Sequence, residues 1–242
     1  MTKTAIFVEG QTELIFVREY LLQLFEYQDI AIACYTLFVD TKFNPTEYAV
    51  ENLSAAHFFQ ILNVGNDNAV LSRILNREKY LWNSGFDKII GLRDMYSRAY
   101  RDANPKSNKI DSQINAEFIK NSQIQLSKKA EKPENINFQY AIMEAESWIL
   151  ALNDCFTQLN PMLTNDFIRE KLGYDLAITD PETAFYHPAE EVEKIYHLAK
   201  MNYNKSKSDI YAIMSTTNKD SFMALFNSQK CESFKAFQRN FV

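Results

Sequence analysis

Residues 5–13 read AIFVEGQTE, an apolar run that stops at a carboxylate and a glycine. Residues 4–8 are mostly β-branched, aliphatic or aromatic and alternate little with polar positions, the pattern of a strand covered on both faces inside a parallel sheet. Gly10 interrupts the run. Over residues 12–25 the apolar positions Leu14, Val17, Leu21, Leu24 and Phe25 recur at helical spacing, with Gln11 or Thr12 at the expected N-cap. The nine residues therefore read as strand, one-glycine turn and helix start.

Working outward, further extended segments are expected at 32–39, 58–64, 88–92 and 138–143, with helices between them at 68–76, carried toward Trp82, and at 115–130. Strands separated by helices predict an α/β fold with a mainly parallel sheet joined by right-handed crossovers. After Ser147 the pattern turns helical, with runs at 166–172, 188–201 and 208–215. The expected organisation is a catalytic α/β domain over residues 1–150 and a helical C-terminal region over 151–242 packed on it. Residues 101–109 and 130–137 read as polar loops.

The 242 residues are 46% apolar and 24% charged, with 18 Phe and 13 Tyr, the make-up of a globular protein. A net charge of −5 weighs against a broad basic surface for nucleic acid, although residues 93–101 and 200–207 are locally basic. Cys34, Cys155 and Cys231 form no CxxC pair, which points to a reducing compartment and no structural zinc. With no signal-like start and no 18-residue apolar run, a cytoplasmic protein without a membrane segment is expected.

Three expected strands end in acids: Glu9, Asp94, and Glu144 followed by Glu146. In parallel α/β sheets ligands bind at the carboxyl ends of the strands. Carboxylates gathered there repel each other unless a cation offsets the charge, and a hard ion such as Mg²⁺ takes such oxygens. Gly10 would then let the chain turn sharply and let a phosphate approach, with the start of the 12–25 helix aimed at the same edge. The plainer reading makes Glu9 an idle strand-end acid and Glu13 a first-turn acid favoured by the helix dipole.

IFVEGQTE followed by an amphipathic helix resembles the first motif of Toprim domains. GLRDMYS resembles their second motif, and YAIMEAESWIL is similar to the Glu-x-Glu element of the nuclease branch, so the likeness spans residues 4–150. The nearest pattern is that of small stand-alone Toprim-like bacterial proteins, often encoded beside an ATPase in phage-defence systems. The overcoming-lysogenisation-defect nucleases are more distant. The resemblance implies a Toprim-like Rossmannoid sheet flanked by helices. It also implies a Mg²⁺- or Mn²⁺-dependent nuclease acting on RNA such as tRNA, or on DNA, as a defence effector with an ATPase partner, and a possible homo-oligomer. By the same resemblance Glu9, Glu13, Asp94, Glu144 and Glu146 would hold one or two metals. Glu9, Asp94, Glu144 and Lys205 would serve catalysis, and Arg93 and Arg98 are further candidates beside the phosphate. The pattern is broken at Tyr96, where topoisomerases and primases of this class carry a second aspartate. That departure argues against those two activities and opens the alternative of a catalytically degraded module that docks on an ATPase or on nucleic acid.

Among the remaining residues, Tyr96, Arg98, Tyr100 and Arg101 interleave rings with guanidinium groups, a pattern that stacks on and clamps an unpaired strand or else forms a solvated loop. Pro188 suits a first helical position after His187. The loop histidine His187 reads as an ordinary polar residue, as do His57 and His197, and Trp148 is expected to pack its helix on the sheet rather than to stack a base. No Walker A pattern is present. Clustered acids with Mg²⁺ would equally serve a small-molecule phosphatase or phosphotransferase.

Overall fold

In chain order the elements are β1 (Thr2–Val8), α1 (Gln11–Leu24), β2 (Ile30–Phe38), β3 (Lys42–Pro45), β4 (His57–Asn63), α2 (Val70–Asn83), β5 (Lys88–Asp94), α3 (Arg98–Ala103), α4 (Ser112–Lys129) and β6 (Ile136–Ala141). Helices alone follow: α5 (Glu146–Ala151), α6 (Asp154–Leu159), α7 (Asn165–Leu172), α8 (Pro181–Ala184), α9 (Pro188–Leu198), α10 (Lys207–Met214), α11 (Lys219–Asn227) and α12 (Glu232–Gln238). The computed structural model describes residues 1–38, 42–65, 69–105 and 108–242. Position 39 of the expected second strand, position 68 of the expected helix and positions 106 and 107 of the expected loop lie outside the described residues. The chain forms two compact units that alternate along it: residues 1–93 with 115–140, and residues 94–114 with 141–242.

The first unit is built on a six-stranded sheet in the order β3-β2-β4-β1-β5-β6. β1 pairs in parallel with both β4 and β5, and β4 in parallel with β2. The predicted α/β class with a mainly parallel sheet, in a Rossmann-like arrangement, is what the structure adopts. From β1 the chain crosses to β2 on one side, and from β4 it crosses to β5 on the other. Right-handed connections running in opposite directions put α1 and α2 on opposite faces of the sheet. Ala5, Phe7, Leu62 and Ile89 pack with Val70, Ile74 and Leu81 of α2 and Leu126 of α4. Ile6 and Val8, which alternate with these, are equally buried, so β1 is covered on both faces as its sequence predicts.

β3 was not expected. It is a four-residue antiparallel edge strand on β2, too short for a periodic signal and ended by Pro45, a residue tolerated at edges. At the turn after β1 the N-cap is Gly10 rather than Gln11 or Thr12, since Leu14 N–H already bonds the Gly10 carbonyl at 3.2 Å. Gly10 is extended (φ −141°), a conformation open to any residue. A Cβ there would lie 2.9 Å from Glu13 Oε2, the end of a flexible side chain that would have to shift to admit it.

The second unit surrounds α5, every residue of which is buried. Trp148 sits at its centre, 5.4 Å from the Phe234 ring and 5.5 Å from the Phe237 ring of α12. Its indole N–H donates to Glu182 Oε1 (3.1 Å) and Ser233 Oγ (2.9 Å). Trp148 is therefore a packing residue, but its partners are the rings of α12 rather than the expected sheet. α3 occupies part of the segment predicted as loop, started by Ser97, whose hydroxyl accepts the Tyr100 N–H. Its polar sequence hides the helix, which has a single buried residue, Tyr100. Pro188 takes the expected place at the start of α9. Among the described residues no helix is long and apolar enough to cross a membrane.

Candidate functional site

Asp94 is the last residue of β5. Beyond it, Met95 N–H donates to the Ala141 carbonyl (2.9 Å) and Tyr96 N–H to the Met143 carbonyl (2.7 Å). This short ladder holds residues 94–96 alongside the chain leaving β6. That chain turns sharply at Met143, a buried non-glycine residue at φ +61°. The turn is fastened by Ser147 Oγ, which donates to the Ile142 carbonyl at 2.7 Å. A left-handed non-glycine residue costs on the order of 1–3 kcal/mol, and here it aims Glu144 and Glu146 into the same region as Asp94. Asp94 Oδ1 accepts the Ala145 N–H at 2.9 Å, at the free amino end of α5 where backbone donors lack helical partners.

Glu144 is fastened from two sides. Its Oε2 accepts the Ala189 N–H at 2.9 Å, one of the unsatisfied donors of the first turn of α9, where a carboxylate is favoured. Its Oε1 accepts from Lys205 Nζ at 3.0 Å. Glu146 is 1% exposed. Its Oε1 accepts the Tyr203 hydroxyl at 2.9 Å and faces Lys205 Nζ at 3.2 Å. Its Oε2 is buried and has no hydrogen-bond partner among the described residues.

Lys205 is placed by its own backbone. It lies at φ +52°, and the N–H groups on either side of it, of Asn204 and Ser206, both donate to Asp209 Oδ2 at 2.9 and 3.0 Å. Asp209 and Ser206 also form the capping box of α10. Burial pulls the ammonium pKa down, but Glu146, Glu144 and Asp94 outweigh that pull and hold it above the ordinary lysine range. The Tyr203 phenol is pushed far up by burial and by the Glu146 carboxylate, so it stays protonated and donates. Three carboxylates facing one ammonium leave two negative charges in excess.

An open cleft of about 380 Å³ gives access to this group, lined by Tyr96, Glu144, His187, Ala189, Tyr203 and Lys205 among others. The donor set of oxygens, the excess negative charge and the unsatisfied buried oxygen of Glu146 suit a hard divalent cation. Lys205 Nζ now bridges Glu144 and Glu146. Among the described residues no cluster of three or more His, Cys, Asp or Glu side chains stands ready to hold a metal.

No family model, curated protein or solved structure matches this chain.

Of the residues singled out in the sequence, Asp94, Glu144, Glu146 and Lys205 are brought together in the second unit. Glu9 and Glu13 belong to the first unit, at the end of β1 and in the first turn of α1, where Glu13 is buried. Arg93 also belongs to the first unit, its guanidinium 5.5 Å from the Tyr140 ring. Arg98 is a surface residue, 3.9 Å from an equally exposed Asp102. His57 bonds Thr2 Oγ1 at 2.9 Å and His197 stands 3.8 Å from Glu193, both ordinary surface roles. His187 instead lines the cleft, its ring 4.9 Å from that of Tyr96.

Tyr203 and the Ala189 N–H were not foreseen as members of this group. Tyr203 stands two residues before Lys205, a visible neighbour of a candidate. For Ala189 the available signal was the helix start at Pro188, since a helix amino end is a donor to carboxylates.

Proposed function

We propose that the chain is a divalent-metal-dependent phosphodiester hydrolase acting on nucleic acid, of the Toprim kind that its motif order resembles. The observation that carries this reading is the gathering of Asp94, Glu144 and Glu146 around Lys205 with one Glu146 oxygen left unsatisfied in a buried position. Asp94, Glu144 and Glu146 would hold Mg²⁺ or Mn²⁺. When bound, such an ion supplies an activated water and charge stabilisation at the phosphoryl group. The protein's part is positional and electrostatic. The Ala145 and Ala189 N–H groups and the Tyr203 hydroxyl fix the three carboxylates, and the Lys205 ammonium stands at the cleft where a phosphate oxygen would lie. Three buried free cysteines suit the reducing cytoplasm. By the same resemblance, the partner class is an ATPase and the setting is anti-phage defence.

The test is cleavage of tRNA, single-stranded DNA and duplex DNA by purified protein with Mg²⁺ or Mn²⁺, comparing Asp94→Asn and Glu144→Gln. Each substitution is expected to lower the rate more than about 100-fold, beyond the loss typical of outer-shell partners of a metal. Rates unchanged in both variants defeat the reading. Glu9→Gln and Glu13→Gln in the same assay measure what the first unit adds. A second reading, a non-cleaving module that docks on an ATPase or nucleic acid, is favoured by one observation: Lys205 already serves as an internal counter-ion to Glu144 and Glu146. Nucleic-acid binding without turnover under either metal supports it.

A further inference from the structure

Tyr96, the residue that breaks the acid pattern of the second motif, is the hub of an aromatic cluster. Its ring stands edge-on to Tyr186 (5.6 Å, 80°) and to His187 (4.9 Å, 84°), and Tyr186 is in turn perpendicular to His187 at 4.8 Å. The Arg101 guanidinium lies 5.7 Å from the Tyr96 ring centre. Rings in such a set are normally buried, yet these three are only half-buried and form the wall of an open cleft. That cleft, about 460 Å³, is lined by Tyr96, Arg101, Asn104, Asn108, Tyr186 and His187 among others. It shares Tyr96 and His187 with the cleft that reaches Glu144, Tyr203 and Lys205. The platform is anchored from behind, since Tyr100 N–H bonds Ser97 Oγ (3.2 Å) and the buried Tyr100 hydroxyl accepts the Asp111 N–H (3.0 Å).

We propose that Tyr96, Tyr186, His187 and Arg101 form a subsite for an unpaired nucleobase beside the carboxylate–lysine centre, so that the strand admitted is single-stranded. The chemistry of the lining selects this ligand. Flat rings and a guanidinium plane take a π-face, while the amides of Asn104 and Asn108 offer donors and acceptors to a polar edge. A base has both a face and an edge, and in a duplex its face is covered by its neighbours. The placement of the scissile phosphate at Lys205 rests on the hydrolase reading above. The base subsite itself stands on the cluster alone.

The experiment measures affinity by fluorescence anisotropy in EDTA, so that binding is read without cleavage. The probes are labelled single-stranded RNA and DNA, duplexes of the same sequence, and a single strand with abasic positions. Single strands are expected to bind best. Tyr96→Ala and Tyr186→Ala should each weaken them about 5- to 100-fold, the loss of one stacked base, while Tyr96→Phe binds as the parent does. The idea is overturned if duplex and abasic strands bind as tightly as intact single strands, if both alanine variants bind like the parent, or if no single strand binds. Two variants, each checked by circular dichroism, guard against one that fails to fold. Ring-dependent binding by a protein that cleaves nothing sinks the hydrolase and leaves the subsite standing. A cleaving enzyme whose affinity and KM ignore the rings does the reverse.

Discussion

Replacing Lys205 with methionine keeps the stem of the side chain and removes its charge. The ammonium stands 3.0 Å from Glu144 Oε1 and 3.2 Å from Glu146 Oε1. At an effective dielectric of about 20 each such contact is worth about 5 kcal/mol before costs. Desolvation of the lysine and of the buried Glu146 cancels most of that, and the lysine side chain is 41% exposed, so water screens much of the rest. The expected net loss at neutral pH is about 1–3 kcal/mol, or roughly 2–10 °C in Tm for a chain of this size. The pH dependence has a definite sign. Burial lowers the Lys205 pKa, but the three carboxylates raise it further, so the folded value lies above the unfolded one. The folded state therefore holds the proton more tightly. The lysine's contribution is complete below the unfolded value near 10.4 and is lost as pH rises through the folded value. Denaturation of parent and Lys205→Met from pH 7 to 11 should show a constant gap up to about pH 10 that narrows above it. If Glu144 and Glu146 are metal ligands, Mn²⁺ should also raise the Tm of Lys205→Met more than that of the parent. A gap below about 0.5 kcal/mol at pH 7, the scatter of ordinary surface changes, or one that widens in alkali refutes the reasoning.

Gly91→Ala should destabilise the protein by about 1–3 kcal/mol, because the added Cβ would lie 2.5 Å from Phe138 Cδ2 and 2.7 Å from the buried Ile74 Cδ1; an unchanged Tm contradicts it. Glu182 accepts from Trp148, from Ser233 N–H and from the Ser233 hydroxyl, yet burial outweighs these donors and raises its carboxyl pKa. Stability from the protonated form is complete below the ordinary glutamate value near 4.3 and is lost as pH rises through the elevated one. The stability of the parent minus that of Glu182→Gln should accordingly fall as pH is raised from 4 toward 7, and a difference that grows over that range is incompatible with the burial argument.

The sheet was readable because β1, β4 and β5 are covered on both faces, which leaves near-continuous apolar runs such as AIFV and the IIGL of residues 89–92. β3 and α3 were not, since one is an edge and the other presents a single buried side chain, so neither imprints a period on the sequence. The acids of the site were readable as strand ends. Their partners were not: the Tyr203 hydroxyl is 57 residues from Glu146, and the Ala189 N–H is 45 residues from Glu144. A backbone donor leaves no residue-type signal at all. Tyr96 looked like a lost acid in the motif, and only the fold brings Tyr186 and His187 against it.

Both residues that steer the charged group, Met143 and Lys205, hold the left-handed backbone at φ +61° and +52°. Neither is a glycine or asparagine, so each conformation costs on the order of 1–3 kcal/mol and persists only because surrounding bonds impose it. At Met143 those bonds are the Tyr96 N–H and the Ser147 hydroxyl; at Lys205 they are the two N–H groups on Asp209. Relaxing either one would separate the charges and let water reach Glu146. The strain instead keeps three carboxylates together that would repel each other in solution. Holding like charges together is what binding a further cation would require, and on the proposed hydrolase reading that requirement would account for the buried Glu146 oxygen that has no donor among the described residues.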